Sequence, residues 1–135
     1  MVRRVLLFLA VIQVWGAGCR ASYAVNVRFP VDPTLGVNVA GTWKTNWGGP
    51  QGFNIAVVTM EQQGDRVTAT YVTTGSPNGS FEGRLVGNEL RGTWREADGR
   101  WGGLRFVFDS TGSRFEGTWG LGEHDDDGGV WDGNR

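Results

Sequence analysis

The feature that most constrains the fold of this chain is an alternation of apolar and polar residues, sustained from Val39 almost to the C-terminus. Successive side chains of a β-strand point to opposite faces, so this pattern predicts strands with one buried face. Following it gives eight segments. Their expected inward residues are Val39, Gly41 and Trp43; Phe53, Ile55 and Val57; Val67, Ala69 and Tyr71; Phe81, Gly83 and Leu85; Leu90, Gly92 and Trp94; Leu104, Phe106 and Phe108; Phe115, Gly117 and Trp119; and Trp131 and Gly133.

Turn signals between these segments predict how neighbouring strands pair. We expect a three-residue loop at 63–65, a two-residue turn at 87–88 and a four-residue loop at 110–113. The pairs expected across these connections are Val57 with Tyr71, Phe81 with Trp94, and Phe108 with Phe115. Inward residues face inward residues in each hairpin, as a single buried face requires.

The expected fold class is therefore all-β, a single antiparallel up-and-down β-barrel of about eight strands spanning residues 39–135. Closing such a meander into a barrel removes its exposed edges.

Alternate connections of the meander fall at opposite ends of the barrel. The other four connections, at 44–52, 73–80, 96–103 and 120–129, are predicted to be long loops that share one end. Long loops at one end are typical of a binding mouth.

A different pattern precedes the barrel. Met1-Val2-Arg3-Arg4 carries two positive charges, an apolar run follows, and small residues end it, which predicts a signal peptide at 1–18. The stretch Gly16-Ala17-Gly18-Cys19 resembles a bacterial lipobox, although Gly16 stands where that motif usually has an aliphatic residue. The resemblance implies lipidation of Cys19, a tether over 19–38, and an outer-membrane or cell-surface location. The alternative is ordinary cleavage, which gives a secreted or periplasmic protein.

Composition narrows the functional classes. The chain has 13 basic and 14 acidic residues, and two of the basic ones lie in the leader, so we expect no nucleic-acid partner. A single His, no Cys after the leader and no catalytic signature argue against an enzyme. We expect no metal and no cofactor, because the acidic run at 123–127 lacks the spacing of a calcium-binding loop. Membrane contact is expected only through the lipid on Cys19.

Part of the barrel resembles a known family. Gly41-Thr42-Trp43, followed by a β run and a strand ending in Thr-x-Tyr at Tyr71, is similar to the first half of an avidin. Lipocalin-type barrels open with the same Gly-x-Trp. The repeated Gly-Thr-Trp also resembles exported bacterial β domains without an assigned activity. The resemblance implies an eight-stranded calycin-type barrel, and it carries over no functional residue.

Two tryptophans stand apart from the others. Trp47 and Trp101 each begin a Trp-Gly-Gly, and both are expected in loops at the long-loop end. They are predicted either to cap the barrel or to form a stacking platform for a sugar or another planar, apolar ligand. The remaining candidate ligand-binding residues are Asn46, Tyr71, Glu96 and His124. The leading hypothesis is a non-enzymatic ligand-binding barrel. The alternatives are a structural envelope protein with a packed interior, and a protease inhibitor or other protein-binding module.

Overall fold

The computed structural model describes residues 29–49 and 52–135. The predicted signal peptide at 1–18 and the predicted lipidation site, Cys19, lie outside these residues. Among the residues that the structure describes, none lies in a helix long and apolar enough to cross a membrane.

The described part of the chain forms eight strands in a closed antiparallel barrel, in which each strand pairs with its sequence neighbours and β8 pairs with β1. The expected all-β, up-and-down barrel is therefore confirmed. Its topology has the strand number that the resemblance to avidin- and lipocalin-type barrels implies. The strands are β1 (Gly41–Gly49), β2 (Gly52–Gln63), β3 (Arg66–Thr73), β4 (Gly79–Val86), β5 (Glu89–Glu96), β6 (Trp101–Phe108), β7 (Arg114–Trp119) and β8 (Gly129–Asn134).

Two of the three predicted hairpin registers are confirmed. Phe81 pairs with Trp94 across the turn at 87–88, and Phe108 pairs with Phe115 across the loop that follows β6. Leu85 and Leu90, on either side of the first of these turns, are both buried. The expected inward residues of β3 through β8 accordingly line the interior.

Strand β2 faces the other way from the prediction. Phe53, Ile55 and Val57 are 71%, 58% and 46% exposed on the outer surface, whereas Val58 and Met60 are buried. The connection to β3 is a two-residue turn at 64–65 and not a three-residue loop, since the residues on either side of it pair directly. A one-residue change of register moves every side chain to the opposite face. Because β2 is apolar on both faces, the alternation alone did not exclude the wrong choice.

An inward glycine pair lets β4 and β5 approach closely. Gly83 pairs with Gly92, and a Cβ on Gly83 would lie 2.3 Å from the carbonyl oxygen of Arg91. No side chain fits at that distance, so glycine is required there. The Gly-x-aromatic repeat thus lets neighbouring strands lie close together while larger rings on the same strands fill the interior.

The interior of the barrel is filled by aromatic rings. Phe106 stacks on Phe115 with the ring centroids 4.1 Å apart, and Trp43 contacts Phe115 at 5.4 Å. Trp131 meets Phe81 and Phe106 edge to face. An eight-stranded barrel is just wide enough to be filled by side chains, and this one is filled at its centre.

The chain before β1 closes one end of the barrel. Asn88 is 1% exposed there, and its side-chain amide donates hydrogen bonds of 2.8 Å to the carbonyl oxygens of Pro30 and Phe108. Its side-chain oxygen accepts one of 2.7 Å from the backbone N–H of Asp32. Residues 29–40 are therefore fastened to the turn at 87–88, and we call this the closed end.

The folded unit consequently begins before residue 39. Val37 and Val39 are both buried in the core. The guanidinium of Arg135 lies 4.8 Å from the Trp43 ring centroid and donates to the carbonyl oxygen of Ala40, which joins the last residue to the start of β1. At least the described part of the predicted tether packs on the barrel.

The opposite end has shorter loops than predicted. β1 continues to Gly49, which pairs with Gly52 at the start of β2, so most of the predicted 44–52 loop is strand. The next two connections are 74–78 and 97–100, shorter than the expected 73–80 and 96–103. Only the connection at 120–128 has about the predicted length. We call this opposite end the mouth.

Candidate functional site

The mouth is lined by inward side chains at the ends of several strands. They are Trp47 of β1, Tyr71 of β3, Trp94 and Glu96 of β5, Trp119 of β7, Trp131 of β8, and Arg100 from the connection between β5 and β6. The odd-numbered strands end at the mouth and the even-numbered strands begin there. The inward residues nearest that end of each strand therefore converge. The alternation of each strand therefore brings side chains far apart in sequence into one rim.

The aromatic rings of the mouth pack edge to face. Trp119 lies 5.5 Å from Trp47 and 5.8 Å from Trp94, centroid to centroid, in T-shaped contacts. Tyr71 meets Trp131 in the same way at 5.3 Å. Such contacts contribute about 0.5–1.5 kcal/mol each beyond area burial, so the rings hold one another in place.

Each indole N–H at the mouth has a partner within the protein. Trp131 donates to the Thr45 hydroxyl at 3.0 Å, and Trp47 donates to the Thr73 hydroxyl at 3.1 Å. The other two indoles donate to backbone carbonyl oxygens: Trp94 to Gly120 at 2.9 Å, and Trp119 to Gly48 at 3.2 Å. The rings therefore leave no indole N–H of the mouth free to bind a ligand.

Glu96 places a carboxylate in this apolar setting. Its side chain is only 5% exposed. One carboxylate oxygen accepts a 3.2 Å hydrogen bond from the Tyr71 hydroxyl, and the other lies 2.7 Å from a guanidinium nitrogen of Arg100. Burial raises the pKa of Glu96 above its ordinary value, while the positive charge of Arg100 opposes that rise. Burial, and then the charge of Glu96, raise the pKa of Tyr71.

Arg100 covers the carboxylate from the solvent side. Its side chain is 54% exposed, and its Nε donates to the carboxylate of Asp98 at 2.9 Å. The backbone of the turn is closed by a 2.9 Å hydrogen bond from the Glu96 N–H to the Arg100 carbonyl oxygen. Gly99 has a φ of 95°, which a side chain rarely adopts, so this turn depends on glycine. Arg100 thus has two carboxylate partners, one buried and one exposed.

With Arg100 in this position, the mouth has little free space. Its free volume is about 20 Å³, enough for one water molecule and too small for an organic ligand. A ligand that binds between these rings must therefore displace a side chain first.

The structure brings together three of the six predicted ligand-binding residues: Trp47, Tyr71 and Glu96 all line the mouth. Trp101 does not. It begins β6 on the outer face, 42% exposed, with the Arg95 guanidinium 5.9 Å from its ring centroid. Trp47 and Trp101 therefore lie on opposite sides of the barrel wall and do not form a common platform.

The other two predicted residues also lie outside the mouth. Asn46 is exposed on the outer face of β1. His124 is exposed in the connection at 120–128, where its backbone carbonyl oxygen accepts a hydrogen bond from the Gly103 N–H. Asn46, Trp47 and His124 were all predicted to lie in loops at one end of the barrel. Strand β1 instead continues through residues 46 and 47, and it points Asn46 outward and Trp47 inward.

Sequence reasoning treated Trp94, Trp119 and Trp131 only as core residues and overlooked Arg100. The three tryptophans were correctly predicted to face inward, but the pattern did not show that they lie at the mouth. A signal for Arg100 was present in Asp98-Gly99, a common turn dipeptide that directs the next residue back toward Glu96. Extending the alternation of β1 from Trp43 through Thr45 would also have placed Trp47 inside.

In residues 29–49 and 52–135, no three or more His, Cys, Asp or Glu side chains are grouped so as to hold a metal ion. This includes the acidic run at 123–127. Comparison of the chain with protein-family models, with curated proteins and with solved structures found no significant match.

Proposed function

We propose that this chain is a non-enzymatic binding protein of calycin type, which holds a small, largely apolar ligand at the mouth of the barrel. The observation that carries the proposal is the rim of Trp47, Trp94, Trp119 and Trp131 around one buried carboxylate. Concave aromatic surfaces with a few well-placed polar groups are typical of small-molecule sites. A ligand enters when Arg100 moves away, since the closed mouth has too little volume.

Tryptophan emission tests this proposal. The protein is titrated with a panel of sugars, planar apolar probes and small organic ions while emission is recorded. We expect a saturable change with at least one probe, and we expect Trp47→Phe and Trp119→Phe to weaken it. Trp101→Phe is the matched control because Trp101 lies outside the barrel, and it should leave the affinity unchanged.

A structural role without a ligand is the competing reading. The filled interior favours it, because side chains already occupy the space that a calyx would offer. It would be supported, and ligand binding contradicted, if no probe of the panel changed the emission of the wild-type protein. Equal loss of affinity in Trp47→Phe and Trp101→Phe would place the binding site elsewhere.

A second candidate function, protein binding, is favoured by an outer apolar patch made of Phe53, Ile55, Val57 and Val72. Val57 pairs with Val72, and each of the four side chains is between 46% and 71% exposed. Contiguous apolar patches on soluble proteins often mark interaction sites. Capture of a partner by the wild type, lost in Ile55→Ser/Val72→Ser and kept in the mouth variant Trp47→Phe, would support this function.

We also propose that the protein is exported and held on the bacterial surface by a lipid on Cys19. The leader supports export, and the path of the chain gives it a consequence. Residues 29–40 approach the barrel at the closed end, where Asn88 binds Pro30. An anchor before residue 29 would leave the mouth facing away from the membrane. Mass spectrometry of the mature N-terminus tests this, and an unmodified Arg20 or Ser22 start would contradict the anchor.

A further inference from the structure

The chemistry of the mouth restricts the class of ligand. Every indole N–H there already donates to Thr45, Gly48, Thr73 or Gly120. The Tyr71 hydroxyl hydrogen is donated to Glu96. A sugar needs donors and acceptors for its hydroxyl groups, and these rings supply none. What the site offers an incoming group is π surface and the carboxylate of Glu96.

We propose that the mouth binds a small organic cation, with a methylated ammonium or alkyl-guanidinium group, which displaces the Arg100 guanidinium from Glu96. Arg100 is then an internal occupant that fills the site until the ligand arrives. This inference rests on the proposed function, because it names the ligand class of the same site.

Charge balance at Glu96 favours a cation over other ligands. The carboxylate is 95% shielded from solvent, and Arg100 lies 2.7 Å from it. A neutral ligand that displaced Arg100 would leave this buried charge with the Tyr71 hydroxyl alone, which is costly. An anion would add repulsion to that cost. A cation replaces one positive charge by another, so the carboxylate keeps its partner.

The aromatic rim adds attraction of its own. Trp47, Trp94, Trp119 and Trp131 line the same mouth as the carboxylate, and tryptophan attracts cations more strongly than any other aromatic residue. Enclosure by several rings together with a carboxylate is the arrangement that recognises quaternary ammonium groups in other proteins. A quaternary ammonium neither donates nor accepts hydrogen bonds, which matches rings whose N–H groups already donate within the protein.

Arg100 keeps a carboxylate partner when it leaves Glu96. Its backbone N–H and its Nε both donate to the carboxylate of Asp98, at 3.0 and 2.9 Å. Asp98 is 39% exposed, so the guanidinium can release Glu96 and remain paired at the surface. The geometry therefore provides both the closed position of Arg100 and a partner for it in the open one.

Calorimetric titration with choline and with 3,3-dimethyl-1-butanol, its uncharged isostere, tests the inference. In the wild type we expect choline to bind more tightly than the isostere. Arg100→Ala removes the internal occupant and should raise choline affinity by about three- to tenfold. Glu96→Gln in that background should lower choline affinity at least about tenfold and reduce the preference for choline over the isostere to what the aromatic rings alone provide. Trp101→Phe should match the wild type, and thermal unfolding of each variant verifies that it is folded.

The cation inference would be overturned if Arg100→Ala bound the isostere as tightly as choline, if Glu96→Gln left choline affinity unchanged, or if Arg100→Ala bound no choline. Binding of an uncharged probe in any of these cases, with loss in Trp47→Phe, would leave the proposed function standing. If no probe, charged or uncharged, bound the protein, both the cation inference and the proposed function would be contradicted.

Discussion

The surroundings of Glu96 differ from those of an ordinary surface carboxylate. It lies in an apolar rim with one hydroxyl and one guanidinium as partners. Burial weighs more than these partners, and the pKa rises above the ordinary 4.5. Burial disfavours the charged form of a carboxylate. The protonation of Glu96 is therefore sensitive to pH, and a nearby positive charge stabilises its charged form.

The raised pKa of Glu96 predicts a pH-dependent stability difference between the wild type and Glu96→Gln. The folded state holds the proton more tightly than the unfolded state, so this group stabilises the fold below about pH 4.5. The stabilisation is lost as the pH rises through the folded-state pKa. Urea unfolding from pH 4 to 8 should show the wild type losing stability relative to Glu96→Gln. A constant or rising difference would contradict the assignment.

Asn88 carries a second prediction at the residue scale. Its replacement by Ala removes the partner of the buried Phe108 carbonyl oxygen, and the partner of the Pro30 carbonyl oxygen and the Asp32 N–H, which are partly buried. An unsatisfied buried group costs about 1–3 kcal/mol, so Asn88→Ala should lower the free energy of unfolding by at least about 2 kcal/mol. Chemical denaturation measures it. Asn78→Ala, at an exposed position, is the control and should change the stability by less than about 0.5 kcal/mol.

At the scale of elements, β2 differs from the other strands because it is apolar on both faces. Its inner side carries Ala56, Val58 and Met60, and its outer side carries the apolar patch. Strands that are apolar on both faces are typically covered on both. The outer face of β2 is thus an exposed apolar surface, which is the observation behind the proposal of a protein partner.

The register of β2 is tested by one substitution on each face. Val58→Thr places a hydroxyl in the core at a fully buried position and should destabilise the protein by about 1–3 kcal/mol. Val57→Thr, on the outer face, should change the stability by less than about 0.5 kcal/mol. Denaturant midpoints of the two variants decide between the faces. A larger loss in Val57→Thr would restore the register predicted from the sequence.

At the scale of the whole molecule, the two ends of the barrel have different constructions. The closed end is sealed by residues 29–40 and by Arg135, which binds the backbone at Asn38 and Gly112. The mouth is filled by aromatic rings and by Arg100, whose side chain is the half-exposed one among them. The mouth is therefore the end at which we propose that a ligand enters.

Truncation tests whether the closed end belongs to the folding unit. A chain that begins at Phe29 keeps Asp32 and Val37, whereas a chain that begins at Val39 loses both. Burial of a valine contributes about 1.5–3 kcal/mol, and the Asn88 hydrogen bonds add to it. Residues 39–135 alone should therefore unfold at a lower temperature than residues 29–135. Coincident melting curves would show that the barrel needs nothing before Val39.

Much of the fold followed from the sequence because alternation depends only on local geometry. Successive side chains of any strand point to opposite faces, so the inward faces of β3 through β8 and two hairpin registers were predictable. The candidate site was predictable only in part. Tyr71 lies on the alternation, whereas Trp47 and Trp101 were misassigned because their glycine neighbours indicated loops where the strands continue.

The sequence by itself determined an all-β meander of eight strands with aromatic residues and glycines on its inward face, because period-two alternation depends only on the local geometry of a strand. The tertiary structure alone decided the face of β2, the position of Trp101 outside the wall, and the pairing of Glu96 with Arg100. The reason is that alternation fixes which residues share a face but not which face is buried, nor how close two strand ends come. The choice of buried face and the distance between two strand ends depend on the length of single turns and on closure of the sheet.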